Sequence, residues 1–285
     1  MTVEPVGDVV AGLGEGPCWD AATRTLLWVD IPGGAVHRTD PVSGQTTTTW
    51  LGAPVSAVLP DRSGDLVVLR RDRIVRLGTG EVLGALDLDP AVRFNDAKCD
   101  PSGRLWAGTM HTAKQPGTAA LYRLDPDGLR AVVSAVTISN GFGWSPDRTR
   151  MYYIDTPTRC VDVFDVSAAG ELANRRHLVD LRDEDPSVGR PDGMTVDRDG
   201  MLWVALIGGA ALRRYRPDGV LDRVVPLPVS HPTSCAFGGP DGGDLFVTTA
   251  RDPVPDTERA AQPLAGRLLR LRPGPTGDAA TPYRG

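Results

Sequence analysis

Six polar residues stand at equivalent places along the chain and offer oxygen atoms to a ligand. Each lies five residues before a recurring turn, and the six are Glu15, Ser56, Asn95, Asn140, Asp192 and Ser234. Two carboxylates combined with an amide oxygen are donors that suit a hard divalent cation. Such a set leaves coordination positions open for water or substrate, which marks a catalytic rather than a closed structural metal site.

A guanidinium accompanies this polar set. Arg93 lies two residues before Asn95, so both side chains fall on the same face of a strand. A guanidinium aimed into a polar channel is a good clamp for a carboxylate or a hydroxyl-rich ligand. Two plainer interpretations stay open at this point: an arginine paired with an acid at the rim, and a polar channel that holds only water.

The stretch Arg93–Thr109, RFNDAKCDPSGRLWAGT, shows the element that must position these side chains. Its second half is a tight polar turn followed by a short apolar strand. The Asp-x-x-Gly core is typical of a β-turn, where Asp binds the local backbone and Gly adopts the strained angle. Copies recur at about 40–50 residues, the period of propeller blades, and their turns start at Asp20, Asp61, Asp100, Ser145, Asp197 and Gly239.

Six copies predict an all-β fold, a six-bladed β-propeller of four-stranded antiparallel blades. Equal register in six equivalent strands points the six polar side chains toward one mouth of the central channel. The segment Thr2–Ala11 has nothing before it to pair with, so we expect this N-terminal strand to close the ring by joining the last blade. The even spacing favours a single domain over residues 1–285.

Composition narrows the classes of function. The chain has 285 residues and a formal net charge of −5, which does not indicate a basic surface for binding nucleic acid. No run approaches the ~18 apolar residues of a membrane span, and the N-terminus lacks the pattern of a secretory signal. Four scattered cysteines without a C-x-x-C pair indicate reduced, buried thiols in a cytoplasmic protein.

No other catalytic pattern competes with the oxygen-rich set. The sequence contains no G-x-S-x-G elbow, P-loop or H-E-x-x-H motif, and its four histidines do not stand at ligand spacing. The chain resembles the senescence-marker/gluconolactonase/luciferin-regenerating (regucalcin-like) family over nearly its whole length. The resemblance is carried by Gly14-Glu15-Gly16-Pro17, Arg93-Phe94-Asn95-Asp96 with Asp100–Met110, Ser139-Asn140-Gly141, Arg190–Met194 and Thr233–Gly239.

The resemblance implies a six-bladed propeller and one divalent cation, Ca²⁺, Zn²⁺, Mn²⁺ or Mg²⁺, held by Glu15, Asn140 and Asp192. It also implies that Arg93 and Asn95 bind sugar-lactone oxygens and that Asp192 donates or accepts a proton. Family members carry a substrate-binding acid in the loop after the Gly-Thr-Met stretch. This chain has no acid there; Gln115 is the counterpart, so the particular lactone stays open.

These observations predict a metal-dependent sugar-lactone hydrolase that forms an aldonic acid from a small-molecule lactone, without nucleic-acid or membrane partners. Water, deprotonated by Asp192 or by the metal, would attack the carbonyl, and the ring oxygen would leave with a returned proton. One alternative is a calcium-dependent phosphotriesterase of the diisopropyl fluorophosphatase type, which shares a propeller and a central calcium. The other is a non-catalytic calcium-binding propeller.

Overall fold

The computed structural model describes residues 1–285. They form six four-stranded antiparallel sheets arranged as the blades of a ring, which confirms the predicted six-bladed β-propeller. Within each blade the strands follow one another outward, so the first strand of every blade lies against the central channel. The first strands of neighbouring blades contact each other around that channel.

The strands are numbered in chain order, beginning with β1 (Glu4–Val6). Blades one, two and three contain β2 (Gly14–Asp20), β3 (Thr25–Asp30), β4 (Ala35–Thr39), β5 (Thr46–Trp50), β6 (Val55–Pro60), β7 (Leu66–Arg70), β8 (Arg73–Arg76), β9 (Val82–Ala85), β10 (Val92–Cys99), β11 (Leu105–His111), β12 (Ala119–Asp125) and β13 (Gly128–Val136). Blades four, five and six contain β14 (Ser139–Trp144), β15 (Arg150–Asp155), β16 (Cys160–Val166), β17 (Leu172–Asp180), β18 (Arg190–Val196), β19 (Leu202–Ile207), β20 (Ala211–Tyr215), β21 (Leu221–Pro226), β22 (Pro232–Gly238), β23 (Asp244–Thr249) and β24 (Leu268–Leu271).

The N-terminal strand closes the ring, as predicted. β1 pairs antiparallel with β24 and forms the outer strand of blade six, with Pro5 opposite Leu269. The strand is shorter than the predicted Thr2–Ala11 because Gly7 turns away with a positive φ of 69°. An ion pair between Arg270 and Glu4, 2.5 Å long, joins the two strands at the surface.

The recurring turns have the chemistry that the sequence predicts. Asp197 accepts the backbone amides of Asp199 and Met201 on one carboxylate oxygen, and Gly200 takes a φ of 80°. The other oxygen accepts the indole N–H of Trp203 at 2.9 Å. Asp100 binds its own turn and Trp106 in the same manner. These two turns are therefore tied to the second strands of their blades.

The apolar core lies between adjacent blades and leaves the channel to polar side chains. Trp106 and Trp203, at matching places on second strands, are fully buried, and so is Trp28, one place further along its strand. The largest cluster of 20 buried residues joins blades one, two and three. Burial at about 25 cal/mol per Å² of apolar surface makes such seams the main stabilising contribution to the ring.

Helices play a minor part. Two 3₁₀ turns cover Thr156–Thr158 and Pro186–Val188, and one short α-helix covers Asp256–Arg259. None of them has the length and apolar character needed to cross a membrane. All four cysteines are buried and free of disulfides, as the sequence indicated: Cys18, Cys99, Cys160 and Cys235.

Candidate functional site

A bulge interrupts the first strand of every blade, close to the same position. Pairing with the second strand loses register between Glu15/Cys18, Val55/Ala57, Phe94/Ala97, Ser139/Phe142, Pro191/Met194 and Pro232/Ser234. A bulge bends its strand and re-aims the side chains beside it, and bulges are frequent next to functional sites. The polar residues singled out from the sequence all lie at these bulges, which simple strand alternation does not predict.

Asn140 and Asp192 meet across the boundary between blades four and five. The side-chain amide of Asn140 donates to a carboxylate oxygen of Asp192 and, at 3.1 Å, to the hydroxyl of Thr156. Both residues are about 5% exposed. A Cβ on Gly141 would stand 2.4 Å from the carbonyl oxygen of Asp192, so only glycine allows this approach. Sequence reasoning did not identify Thr156, which lies on a connection without any repeat signal.

Glu15 faces the same part of the channel from blade one. Its carboxylate accepts the backbone amide of Gly16 at 3.1 Å and forms no ion pair. Burial raises the pKa of Glu15 well above its usual range, the charges of Asp192 and Asp96 add to this, and the Arg93 guanidinium opposes it. Half-buried Glu15 and buried Asp192 thus approach as two carboxylates that form no ion pair.

Asp192 has a similar electrostatic environment. Burial raises the pKa of Asp192, and the charge of Asp96 raises it further. The hydrogen bond from Asn140 and the charge of Lys114 lower it. Its second carboxylate oxygen makes no hydrogen bond with the protein. This environment favours any cation that can enter the channel.

Asp96 is a third buried carboxylate that sequence reasoning left without a role. It is 8% exposed, and burial raises its pKa, while the charge of Lys98 and the amide of Ala97 oppose that rise. Strand alternation places Asp96 on the opposite face from Asn95, but the bulge between Phe94 and Ala97 removes that alternation. No pattern in the sequence marks this change of face.

Arg93 and Asn95 lie together on blade three, next to the bulge of blade four. One nitrogen of the Arg93 guanidinium donates to the Phe94 carbonyl at 2.8 Å and to the side-chain oxygen of Asn95 at 3.1 Å. Asn95 donates to the Ser139 carbonyl at 3.1 Å. Burial lowers the pKa of Arg93 to about 10, opposed by the charge of Glu15. Arg93 forms no ion pair, and its remaining N–H groups are available to a ligand.

The loop between β11 and β12 contains Gln115 and Lys114. Gln115 is exposed, its main-chain oxygen accepts the Thr118 hydroxyl at 2.8 Å, and its side chain makes no hydrogen bond. The structure therefore does not join the Gln115 side chain to the other candidate residues. Lys114 is near enough for its charge to lower the pKa of Asp192, although the sequence gave it no role.

The two serines do not join the candidate site, so the polar set at this mouth is smaller than the expected six. The Ser56 hydroxyl donates to the Phe94 carbonyl at 2.6 Å and links blades two and three. In blade six the bulge places Thr233, whose hydroxyl donates to the Gly14 carbonyl at 2.6 Å, at the blade boundary. Ser234 instead lines a cavity of about 240 Å³ toward the opposite end of the channel.

We call this second space the turn-side cavity, because turns between first and second strands surround it. Its lining includes Asp96, Lys98, Trp144 and Arg148, together with the C-terminal segment 278–281. The channel thus has a mouth with Glu15, Asn140, Asp192 and Arg93 and a separate chamber at the turn side. Only the mouth brings carboxylate, amide and guanidinium groups together.

The donor set at the mouth determines what it can bind. No group of three or more His, Cys, Asp or Glu side chains is arranged to hold a metal ion. A cation would therefore need the Asn140 amide oxygen beside the carboxylates of Glu15 and Asp192. Such a set of oxygen donors fits Ca²⁺, Mg²⁺ or Mn²⁺ better than soft metals.

The chain is similar to known proteins over nearly its whole length. Regucalcin of Gallus gallus is 39% identical over 286 residues, covering 95% of this chain and 94% of the relative. A solved luciferin-regenerating enzyme superposes with a TM-score of 0.92 at 32% identity and covers 100% of this chain and 99% of its own. A calcium-binding regucalcin of Agrobacterium tumefaciens str. C58 superposes with a TM-score of 0.90 at 29% identity, covering 99% and 97%.

Residues 13–251 match the family model described as SMP-30/Gluconolactonase/LRE-like region. The match contains all six first strands and every candidate residue at the mouth. The chain therefore belongs to the SMP-30/gluconolactonase/LRE-like family.

Proposed function

We propose that this protein hydrolyses a sugar lactone to the aldonic acid and depends on one divalent metal cation. One observation carries the proposal: the carboxylates of half-buried Glu15 and buried Asp192 lie near each other without an ion pair, and the Asn140 amide lies against Asp192. Buried charges need pairing or a metal. Membership of a family named after gluconolactonase supports the reaction, and the calcium-binding relative supports Ca²⁺ before Zn²⁺, Mn²⁺ or Mg²⁺.

Glu15, Asn140 and Asp192 would hold the cation in this proposal. When bound, a divalent cation supplies Lewis-acid polarisation of the lactone carbonyl. Asp192 takes a proton from the attacking water and returns it to the ring oxygen as the ester C–O bond breaks, so one water is consumed. Its second oxygen, without a hydrogen bond in the protein, is available for this transfer.

Arg93, Asn95 and Gln115 would bind and orient the substrate. The N–H groups of Arg93 that have no acceptor in the protein suit the hydroxyl and ring oxygens of a sugar lactone, because the half-buried guanidinium presents several donors in a fixed planar arrangement. Asn95 is already fixed by Ser139 and Arg93, so its side chain can orient a ligand at little entropic cost. An apolar phosphotriester would not need these donors.

We also propose that residues 1–285 act as one cytoplasmic domain on a small-molecule lactone, with no nucleic-acid or membrane partner. The outer strand of blade six comes from the N-terminus, so first and last parts of the chain share one sheet. Four buried thiols without disulfides fit a reducing compartment.

The test measures the hydrolysis of a panel of aldonolactones and of one organophosphate. Hydrolysis is detected by proton release, with and without a chelator. We expect turnover of at least one lactone, its loss with chelator and its recovery with Ca²⁺ or Mn²⁺. Hydrolysis of the organophosphate alone would establish the phosphotriesterase alternative. Metal binding without turnover of any substrate would favour a non-catalytic calcium-binding propeller.

A further inference from the structure

Lys98 makes an unusual link inside the channel. It is one of only two lysines among the 31 lysine and arginine residues of the chain. From β10 of blade three, its ammonium donates to the Phe142 carbonyl at 2.9 Å and to the Met194 carbonyl at 2.8 Å. These carbonyls belong to β14 and β18, so one half-buried side chain joins blades three, four and five.

The two accepting carbonyls occupy corresponding positions. Phe142 and Met194 are the first residues that regain pairing after the bulges of β14 and β18. Those bulges contain Asn140 and Asp192. The ammonium therefore fixes the far end of both irregular segments that present these two side chains.

Charge adds a second reason for a cation at this position. Asp96 and Asp192 are buried carboxylates, Glu15 is half-buried, and none of the three forms an ion pair. Arg93 and Lys98 provide positive charges on opposite sides of this group, Arg93 toward the mouth and Lys98 toward the turn-side cavity, and Lys114 adds a third from an exposed loop. Of these three cations, Lys98 is the one whose charge opposes that of Asp96.

An ammonium suits this place better than a guanidinium. It is a compact charge with three donors that can rotate toward two convergent carbonyls, whereas a guanidinium is a rigid planar fork. The other basic residues of the channel, Arg93 and Arg148, do not bridge strands of different blades. The position therefore combines a charge requirement with a geometric one.

We propose that Lys98 is a positioning residue, a built-in cation that holds the bulges of β14 and β18 in the geometry needed for the metal site. The inference rests on the proposed function, because it assigns Lys98 to the support of the Asn140 and Asp192 ligands. Residues that orient metal ligands from outside typically contribute 10–100-fold to metal affinity.

The turn-side cavity makes this role open to chemical rescue. Lys98 lines that cavity, whose volume of about 240 Å³ exceeds that of a small alkylammonium ion. In Lys98→Ala the two carbonyls would face this space without a donor. An added n-propylammonium ion can supply both the charge and the N–H groups, whereas tetramethylammonium supplies only the charge.

The first measurement is calorimetric titration of the metal-free protein with Ca²⁺ and Mn²⁺. Lys98→Ala and Lys98→Met should bind the metal about 10–100-fold more weakly. Arg148→Met is the matched control, since Arg148 is an exposed cation of the same cavity whose side chain makes no hydrogen bond, and the metal affinity of this variant should change less than about twofold. Propylammonium should restore affinity to Lys98→Ala but not to Lys98→Met, whose side chain fills the space.

The second measurement does not depend on metal and separates this inference from the proposed function. Hydrogen exchange of the metal-free protein should become faster in segments 138–144 and 190–196 of Lys98→Met, and not in Arg148→Met. If the wild type binds no divalent cation, the proposed metal site fails, and the exchange result alone decides the role of Lys98. The inference would be overturned if the Lys98 variants bound the metal as tightly as the wild type and their hydrogen exchange were unchanged. Should Ala and Met variants not fold, Lys98→Gln, which keeps an N–H donor without the charge, replaces them.

Discussion

Replacement of Asp192 by asparagine should stabilise the metal-free protein, although it removes a residue of the proposed active site. Burial and the charge of Asp96 raise the pKa of Asp192, which means that folding opposes its ionised form. The pKa of Asp192 is higher in the folded state than in the unfolded state. The protein therefore keeps its full stability when the pH is below the unfolded-state pKa, and it loses part of that stability as the pH rises through the folded-state pKa. An amide at position 192 avoids that loss.

The expected size follows from two opposing contributions. An uncompensated buried charge costs about 3–5 kcal/mol. The hydrogen bond from Asn140 weakens when its acceptor becomes neutral, from about 1.5–3 to about 0.5–1.5 kcal/mol. The balance is a net stabilisation of about 2 kcal/mol at pH 8. For a chain of this size that corresponds to a rise of about 4–8 °C in Tm.

Asp197 offers a matched control at the start of the turn that follows the same strand. It is five residues further along, is equally buried, and binds Arg214 at 2.6 Å as well as the Trp203 indole at 2.9 Å. Asp197→Asn leaves Arg214 without its main partner and should lower stability by about 3 kcal/mol. Asparagine at these two positions should thus have opposite effects on Tm.

The assay is thermal denaturation in chelator at pH 5 and pH 8, repeated with saturating Ca²⁺. The advantage of Asp192→Asn should be small at pH 5, grow by pH 8, and reverse when Ca²⁺ stabilises only the wild type. A variant that is equally destabilised at both pH values, with or without the cation, would refute the reasoning. Asp192 would then be an ordinary satisfied carboxylate.

Three further predictions concern catalysis and are tested by steady-state kinetics across a metal titration. Asp192→Asn should lower kcat by about 10²–10⁴-fold even at saturating metal, because it removes the proton acceptor. Glu15→Gln should instead recover much of its rate as metal is added. If both variants recover the same rate, Asp192 only holds the ion. Arg93→Ala should raise KM by about 10–100-fold, the equivalent of a charged hydrogen bond, with the metal Kd unchanged; weaker metal binding at unchanged KM would contradict its assignment to substrate. Gln115→Ala should raise KM by about 2–10-fold, the equivalent of one neutral hydrogen bond, and a wild-type KM on every lactone would remove Gln115 from the site.

The fold could be predicted from the sequence because its signal is local and repeated. Asp100 and Gly103 define one turn by contacts within four residues, and the same chemistry recurs at Asp197 and Gly200. The candidate residues Glu15, Asn140 and Asp192 followed from their shared distance to such turns. Register within a repeat therefore brought Glu15, Asn140 and Asp192 to one mouth, but it did not do so for Ser56 and Ser234, which make other contacts.

The remaining features depend on contacts between distant parts of the chain. Lys98 binds carbonyls 44 and 96 residues away, and no spacing rule connects those positions. Asp96 changes face because of a bulge, and Thr156 meets Asn140 through a connection outside the repeat. Sequence periodicity predicts the regular pairing of strands within a blade, whereas these contacts depend on a bulge, on a connection outside the repeat or on strands of other blades.

The contrast between Asp192 and Asp197 shows why residue type alone does not separate structural from functional acids. Both are buried aspartates, one on β18 and one at the start of the turn that follows it, and both follow a repeated pattern. Asp197 is neutralised by Arg214, which comes from the third strand of its own blade, so its charge stabilises the fold. Asp192 faces the channel, where the first strands of different blades meet and two other carboxylates add to its charge. A propeller can satisfy charges within a blade by local pairing, but at the axis it concentrates them. An unpaired acid at the axis therefore points to a cation or substrate supplied from outside the chain.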